Sequence, residues 1–573
     1  MNVNPKLLDQ VRSRASELEN ETIDEFVAGR LSRRAFLRRG TVIGLSATSM
    51  GAVLAACGNA NKTSGGSSSA SSGTGTASPS GSGAAKANAT LRVANQVPAA
   101  AINPITIADN GGLEMLCQVG DFLIFDNTGR PGPHLVPMLA TSWKPNSDGK
   151  VWTFNLRQGV KFHNGQPMTA DDVVYTMQQQ CDPKNAANAL SVFGGILSPS
   201  GVKKVNSSTV AFHLNQPIGS FPYLVSSDNY NSIIVPKGTN FSTWQKTMIG
   251  TGPFKLKSYT QNVGANFVAN PDYWGAKAKL AGTAWTFYQS QSPMILALQG
   301  GQVDMISALS QAGASALFNN PSYKIVQIPA SLHRELSMRT DQSPFNDARV
   351  RQAMALTVDR PGMVKALLGG YGTLGNDSPF APIFASTDKS VPQRAKDVAK
   401  AKQLMSAAGH SSGINATMFT EQFQEIPQLA QAFAAGAKEA GINITLKVET
   451  QATYYGKATF GNSDWLDGQM SLVDYGGRGV PNTVLQATLT SKGVWNAAHF
   501  KNSQLDSLYK QFVAAVDLNT QMKLSGQMQT LLLNETPLII PYFEDELNAT
   551  LPNVHNVLGS QIQQTFLGSA YMT

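Results

Sequence analysis

Between residues 416 and 473 the chain alternates in a way that leaves few folds open. Residues 416–420 read as a strand, 425–440 as a helix stopped by Gly441, and 442–449 as a strand. Residues 452–460 then read as a helix and 469–473 as a short apolar strand. Strands joined by helix-length connections pair in parallel, and open parallel sheets hold ligands outside the carboxyl ends of their strands. The last of these strands delivers Asp474, followed by Tyr475-Gly476-Gly477-Arg478-Gly479. Glycines there let backbone approach a bound molecule closely. The spacing predicts that Asp474 meets the positive end of a captured small molecule, with Tyr475, Gly477 and Arg478 beside it. The spacing also suits, and by itself favours, a local arrangement in which Asp474 pairs with Arg478 or caps the turn. Glu421 and Gln422, after the first strand of the unit, share that edge. Trp495 is placed either to line a cleft or to join the core.

The rest of the composition narrows the function. A chain of 573 residues, 42% of them hydrophobic, has enough material for two or more domains with sizeable cores. The net charge is +8, and residues 1–56 hold eight basic and six acidic residues, so +2 lies there and +6 on the remainder. No dense Lys/Arg run with interleaved aromatics follows residue 60, which argues against nucleic acid as a partner. The cysteines are Cys57, Cys117 and Cys181, with no pair at metal-site spacing. No metal and no cofactor are expected, and Cys117 with Cys181 form either a disulfide or two buried thiols. The seven histidines, His134, His163, His213, His333, His410, His499 and His555, are scattered. None sits in a His-Glu-x-x-His or Gly-x-Ser-x-Gly setting, so the chain is not read as an enzyme.

The N-terminus reads as an address. Ser32-Arg33-Arg34-Ala35-Phe36-Leu37 precedes a modest apolar run, from Thr41 to Leu54, too short and diluted to span a membrane. The paired arginines resemble a twin-arginine export signal. Leu54-Ala55-Ala56-Cys57-Gly58 resembles a bacterial lipoprotein box, which implies cleavage before Cys57 and lipidation of it. Residues 1–56 are therefore expected to be a signal peptide. Residues 57–89, nearly all Ser, Gly, Ala, Thr and Asn after the cysteine, are expected to form a tether. The implied location is the outer face of the bacterial cytoplasmic membrane, periplasmic or at the cell surface.

The working body opens with a strand at Thr90-Leu91-Arg92-Val93-Ala94, whose end puts Asn95 and Gln96 on a ligand-facing loop. Residues 151–157 alternate at period two, with Trp152, Phe154 and Leu156 on one face. Asn164-Gly165 marks a tight turn, and Thr169 caps a helix with Asp172 as its capping-box partner. The ordered block from Trp152 through Lys161-Phe162-His163-Asn164-Gly165 to Asp172-Val173-Val174-Tyr175 closely resembles the signature of the family 5 extracellular solute-binding proteins. These are the peptide- and nickel-type receptors of ABC importers. Gly250-Thr251-Gly252-Pro253-Phe254, Asn270-Pro271-Asp272-Tyr273-Trp274 and residues 344–354 extend the resemblance over nearly everything from Thr90 onward.

The resemblance implies an α/β, two-lobe periplasmic-binding-protein-like fold of type II, with an extra subdomain in the first lobe. It implies a first lobe at 90–335 with the insertion at about 126–249, a second lobe at 336–541, and a return at 542–573. The implied function is capture of a di- or oligopeptide, or a similar zwitterion, in the interlobe cleft by a monomer that delivers it to the permease subunits of the importer. Alternatives are an opine, a sugar, chelated nickel or haem as cargo, a sensor or chaperone on the same scaffold, or an exported hydrolase. In peptide-binding members the acid matching Asp474 pairs with the ligand's α-amino group. There the family usually continues toward an Asp-Pro pair, whereas this chain has Gly476-Gly477-Arg478-Gly479-Val480-Pro481, which puts the peptide in doubt more than the positive charge.

Overall fold

The computed structural model describes Ile23, Asp24, Val27, Lys86, residues 88–130 and residues 134–573. The Arg33-Arg34 pair, Cys57 and all but the end of the 57–89 tether lie outside the described residues. Every element discussed below belongs to the compact unit Ser82–Thr573.

One mixed sheet of twelve strands runs through this unit. At one end lie the three strands that the alternation predicts, Ile442–Glu449, Ile414–Glu421 and Met470–Tyr475, mutually parallel. Met418, Met470 and Leu472 pack with Leu429, Ala430 and Phe433 of the helix Ile426–Lys438, so the period-two and period-3.6 apolar patterns share one core. The third strand runs two residues further than the sequence suggests. Asp474 and Tyr475 are held in the ladder opposite Arg334 and His333. The helix expected at 452–460 is instead two short turns, Gln451–Tyr455 and Asp464–Asp467. Gly456, at φ 53°, ends the first, and a Cβ there would overlap the Asn462 carbonyl.

Two long strands carry the sheet from one lobe to the other. Lys324–Met338 pairs antiparallel with Tyr542–Thr550 from Lys324↔Thr550 to Ile328↔Glu546, then again from Leu332↔Glu544 after a register shift. The shift falls at Pro329-Ala330-Ser331, where proline supplies no N–H to the ladder. Beyond it Lys324–Met338 pairs with Met470–Tyr475, while Tyr542–Thr550 pairs with Met305–Leu309 on the other side. "First lobe" below means the side carrying Met305–Leu309, and "second lobe" the side carrying Met470–Tyr475.

The first lobe also holds a four-stranded antiparallel sheet containing Val151–Leu156 and Thr209–Leu214. Trp152, Phe154 and Leu156 are buried on one face as the alternation requires, and the Phe154 ring meets Phe212 at 5.2 Å. The helix Ala170–Cys181 lies on this sheet and opens with the predicted Thr169–Asp172 capping box. The glycine-proline turn and the Tyr-Trp block converge on one buried carboxylate, Asp121. It accepts from Thr251 (2.9 Å), Tyr273 (3.1 Å) and Trp274 (2.8 Å). His163 sits 3.1 Å from the Gly252 carbonyl, a scaffold role. Cys117 and Cys181 are both free and buried. Among the described residues no helix is long and apolar enough to cross a membrane.

Candidate functional site

The carboxyl ends of the second-lobe strands gather two acids and a tyrosine. The Tyr455 hydroxyl lies 2.7 Å from a Glu421 oxygen and 3.2 Å from Asp474 Oδ1. Glu421 is buried and also accepts from Gln451 at 2.6 Å. Its burial, and then the neighbouring Asp474 charge, raise its carboxyl above the ordinary range. One hydroxyl proton cannot satisfy two carboxylates, so the arrangement favours Glu421 as the protonated member. Asp474 itself is half-buried and takes part in no salt bridge among the described residues. In particular it does not pair with Arg478. The Arg478 guanidinium turns back to the Gly476 and Gly477 carbonyls (3.3 and 2.9 Å).

The loop after Tyr475 is pinned to the crossing strand. Ser331 Oγ accepts from the Arg478 N–H and donates to the Arg478 carbonyl, each at 2.8 Å. A Cβ on Gly477 would overlap the Gln561 carbonyl, and one on Gly479 would overlap Asp228. The glycines therefore permit close approach to the first lobe's own atoms. Between the lobes lies a cavity of about 300 Å³, walled by Asn110, Asp228, Tyr230 and Glu546 of the first lobe, Gly476–Arg478 of the second, and Leu332. A neighbouring cavity of about 360 Å³ shares Arg478 and Val192 and adds Lys492, Val494 and Trp495. Asp474 does not line either of these two cavities.

The remaining predicted residues divide. Tyr475 is buried and stacks on Trp495 with ring centroids 6.0 Å apart, so Trp495 both packs on the core and lines a cavity. Gln96 and Gln422 are exposed. Asn95 departs from its expected ligand-facing position. It is fully buried, its amide donating to the Gly111 carbonyl (3.0 Å) and its oxygen accepting from Ser307 (3.1 Å). The cause is the helix Asn110–Val119, whose first turn sits on the end of that strand. Among the described residues no group of three His, Cys, Asp or Glu could hold a metal ion.

Residues 134–496 match the family described as bacterial extracellular solute-binding proteins, family 5. The chain belongs to that family. Among family 5 relatives, the haem-binding protein A of Haemophilus influenzae is 26% identical over 70% of this chain and 78% of its own length. The dipeptide-binding protein of Escherichia coli K12 is 24% identical over 71% of this chain and 80% of its own. HbpA2 from Haemophilus parasuis superposes with a TM-score of 0.74 at 22% identity, covering 84% of this chain and all of that one (100%). These likenesses establish the two-lobe architecture that the block at 152–175 implies.

Sequence reasoning missed the family 5 cleft's other polar walls. Tyr455 is hidden because its short helix carries no periodic signal. Asp228 and Glu546 come from segments far apart in the chain, and no local pattern brings them to one cavity or Ser331 to the Arg478 backbone.

Proposed function

We propose that this family 5 protein captures a short peptide, or a similar zwitterionic solute, between its lobes and hands it to the permease of an ABC importer. The carrying observation is a pair of opposite charges, neither in a salt bridge among the described residues, at the carboxyl end of one strand. Asp474 is held by the Tyr455 hydroxyl and the neighbouring Glu421 carboxyl, and the Arg478 guanidinium by its own loop's carbonyls. Unpaired, fixed charges of both signs suit the two ends of a zwitterion, with backbone and aromatic walls supplying the remainder. A relative named for dipeptide binding supports this cargo. A relative named for haem binding supports a non-peptide solute as the second reading. A metal would arrive already chelated, since the described side chains offer no cage for a bare ion. Within this proposal the twin-arginine motif exports the chain, Cys57 bears the lipid, and the 57–89 tether holds a monomeric body off the membrane. Binding proceeds without chemical change to the cargo.

Calorimetric titration of the purified chain with trialanine and with N-acetyl-trialanine tests the reading. Asp474→Asn is expected to weaken trialanine by about 10- to 100-fold, the worth of a charge-assisted hydrogen bond of about 1.5–3 kcal/mol. Acetylation of the peptide should cost as much and should be insensitive to the substitution. Equal affinity of the two peptides for the unmodified chain would remove Asp474 as the anchor.

A further inference from the structure

The interlobe cavity gathers its acidic side chains on the first lobe. Asp228 and Glu546 both line it, and neither forms a salt bridge among the described residues. Glu546 is only 6% exposed, on the crossing strand beside the hinge. Asp228 Oδ2 is buried with no N–H or hydroxyl donor among the described residues, its other oxygen has the Gln561 amide at 3.5 Å, and the Asp126 carboxyl is a further neighbour. Behind Asp228 stands Asp126, another buried acid, which Gln561 also contacts at 3.2 Å. A wall that keeps several carboxyl groups at one cavity without a cation is incomplete as a piece of core. Buried carboxylates in proteins are ordinarily paired, and among the described residues no salt bridge holds Asp228 or Glu546. The one cation on the cavity wall, Arg478, is bonded to its own loop.

We infer that the first-lobe wall of this cavity is a subsite for a basic side chain, so that the favoured cargo is a short peptide carrying lysine or arginine. The inference rests on the peptide reading above and adds the identity of a side chain. The chemistry is that of an extended organic cation. A cavity of about 300 Å³ admits an aminobutyl or guanidinopropyl group, and the absence of a metal cage among the described residues argues against a bare ion. Tyr230 offers a ring wall for the methylene stem, as long cationic side chains require. Arg478, on the opposite wall of the cavity, would attract the cargo's carboxylate.

The groups facing these acids give the site a second signature. Asp545 and Arg334 face Glu546, while Asp126 and Tyr223 face Asp228, with Arg130 beside Asp126. Burial pushes the Glu546 carboxyl up to about 8, and burial with the Asp126 charge pushes Asp228 up as well. Without cargo near pH 7, Glu546 holds its proton. An arriving ammonium stabilises the carboxylate form, so each acid that ionises releases its proton to solvent. Affinity for a basic peptide therefore rises with pH through the neutral range.

The test is calorimetry of the full chain with Ala-Lys-Ala and with Ala-norleucine-Ala, in which a methyl replaces the charged head, each in two buffers of different ionisation enthalpy. Expected are a preference for the lysine peptide of at least about tenfold, the scale of one buried charge pair, and proton release with that peptide alone. Glu546→Gln should shrink the preference to under about threefold, and Asp228→Asn should shrink it in the same direction. Melting curves establish that each variant is folded, and the buffer comparison on the unaltered chain stands without them. If both peptides bind equally with no proton release, the subsite is overturned while the peptide reading stands. If neither binds, both fall.

Discussion

Single side chains set how the second-lobe loop is held. Ser331 illustrates the economy involved: one buried hydroxyl satisfies both the N–H and the carbonyl of Arg478. Ser331→Ala would leave both groups without partners, a cost of about 1–3 kcal/mol per buried group. We expect faster amide hydrogen exchange at Gly476–Gly479 and weaker cargo binding, with a smaller change in global melting. Unchanged exchange in the loop would show that the hydroxyl is dispensable. Asp474 and Arg478 were legible as candidates because an acid followed by glycines at a strand end is a local pattern. Their lack of mutual pairing was not legible, because spacing alone allows both a salt bridge and two separate charges.

Among elements, the glycine loop and the crossing strands matter most. The loop Gly476–Gly479 touches the first lobe at Gln561 and Asp228, where any Cβ would intrude. Gly477→Ala is expected to push the lobes apart, at about 1–3 kcal/mol for overpacking against backbone. The measurable outcome is weaker cargo binding with a larger radius of gyration in solution scattering of the cargo-bound protein. No change in either would mean that the loop yields locally. Arg334 lies on the same crossing strand, fully buried, with Glu425 and Glu544 each at 2.8 Å. That triad links the second lobe's helix entry to the returning strand just beyond the register shift, so the hinge is bracketed by a charge network rather than by apolar packing alone.

Across the whole molecule, buried acids make stability depend on pH in an unusual direction. Burial raises Glu114, Glu335 and Glu546 each to about 8 from an ordinary 4.5. Between those values the folded chain binds protons that the unfolded chain has lost, so stability falls as pH rises through the window. Carboxylates held below their ordinary range, such as Asp341 beside Arg339 and Asp347 beside Arg349, act in the opposite sense but only at acid pH. The melting temperature of the cargo-free protein should therefore decline from about pH 6 to about pH 8.5. A flat profile would show that these groups are ionised in the folded state or reach water.

The sequence by itself determined what depends on near neighbours. The βαβ alternation at 416–473, the cap at Thr169 and the two-faced stretch at 151–157 each follow from residues within one or two turns of each other, and the long block at 152–175 implies the two-lobe fold by resemblance. Tertiary structure decided which side chains meet across the lobes. Asn95 went to the scaffold because a helix from further along the chain covers it. Asp228 and Glu546 reached one cavity, with Gln561 against Asp228, because two crossing strands fold distant segments together. A carboxylate's role depends on its dielectric surroundings and its partners, and those are fixed only when the lobes are in place.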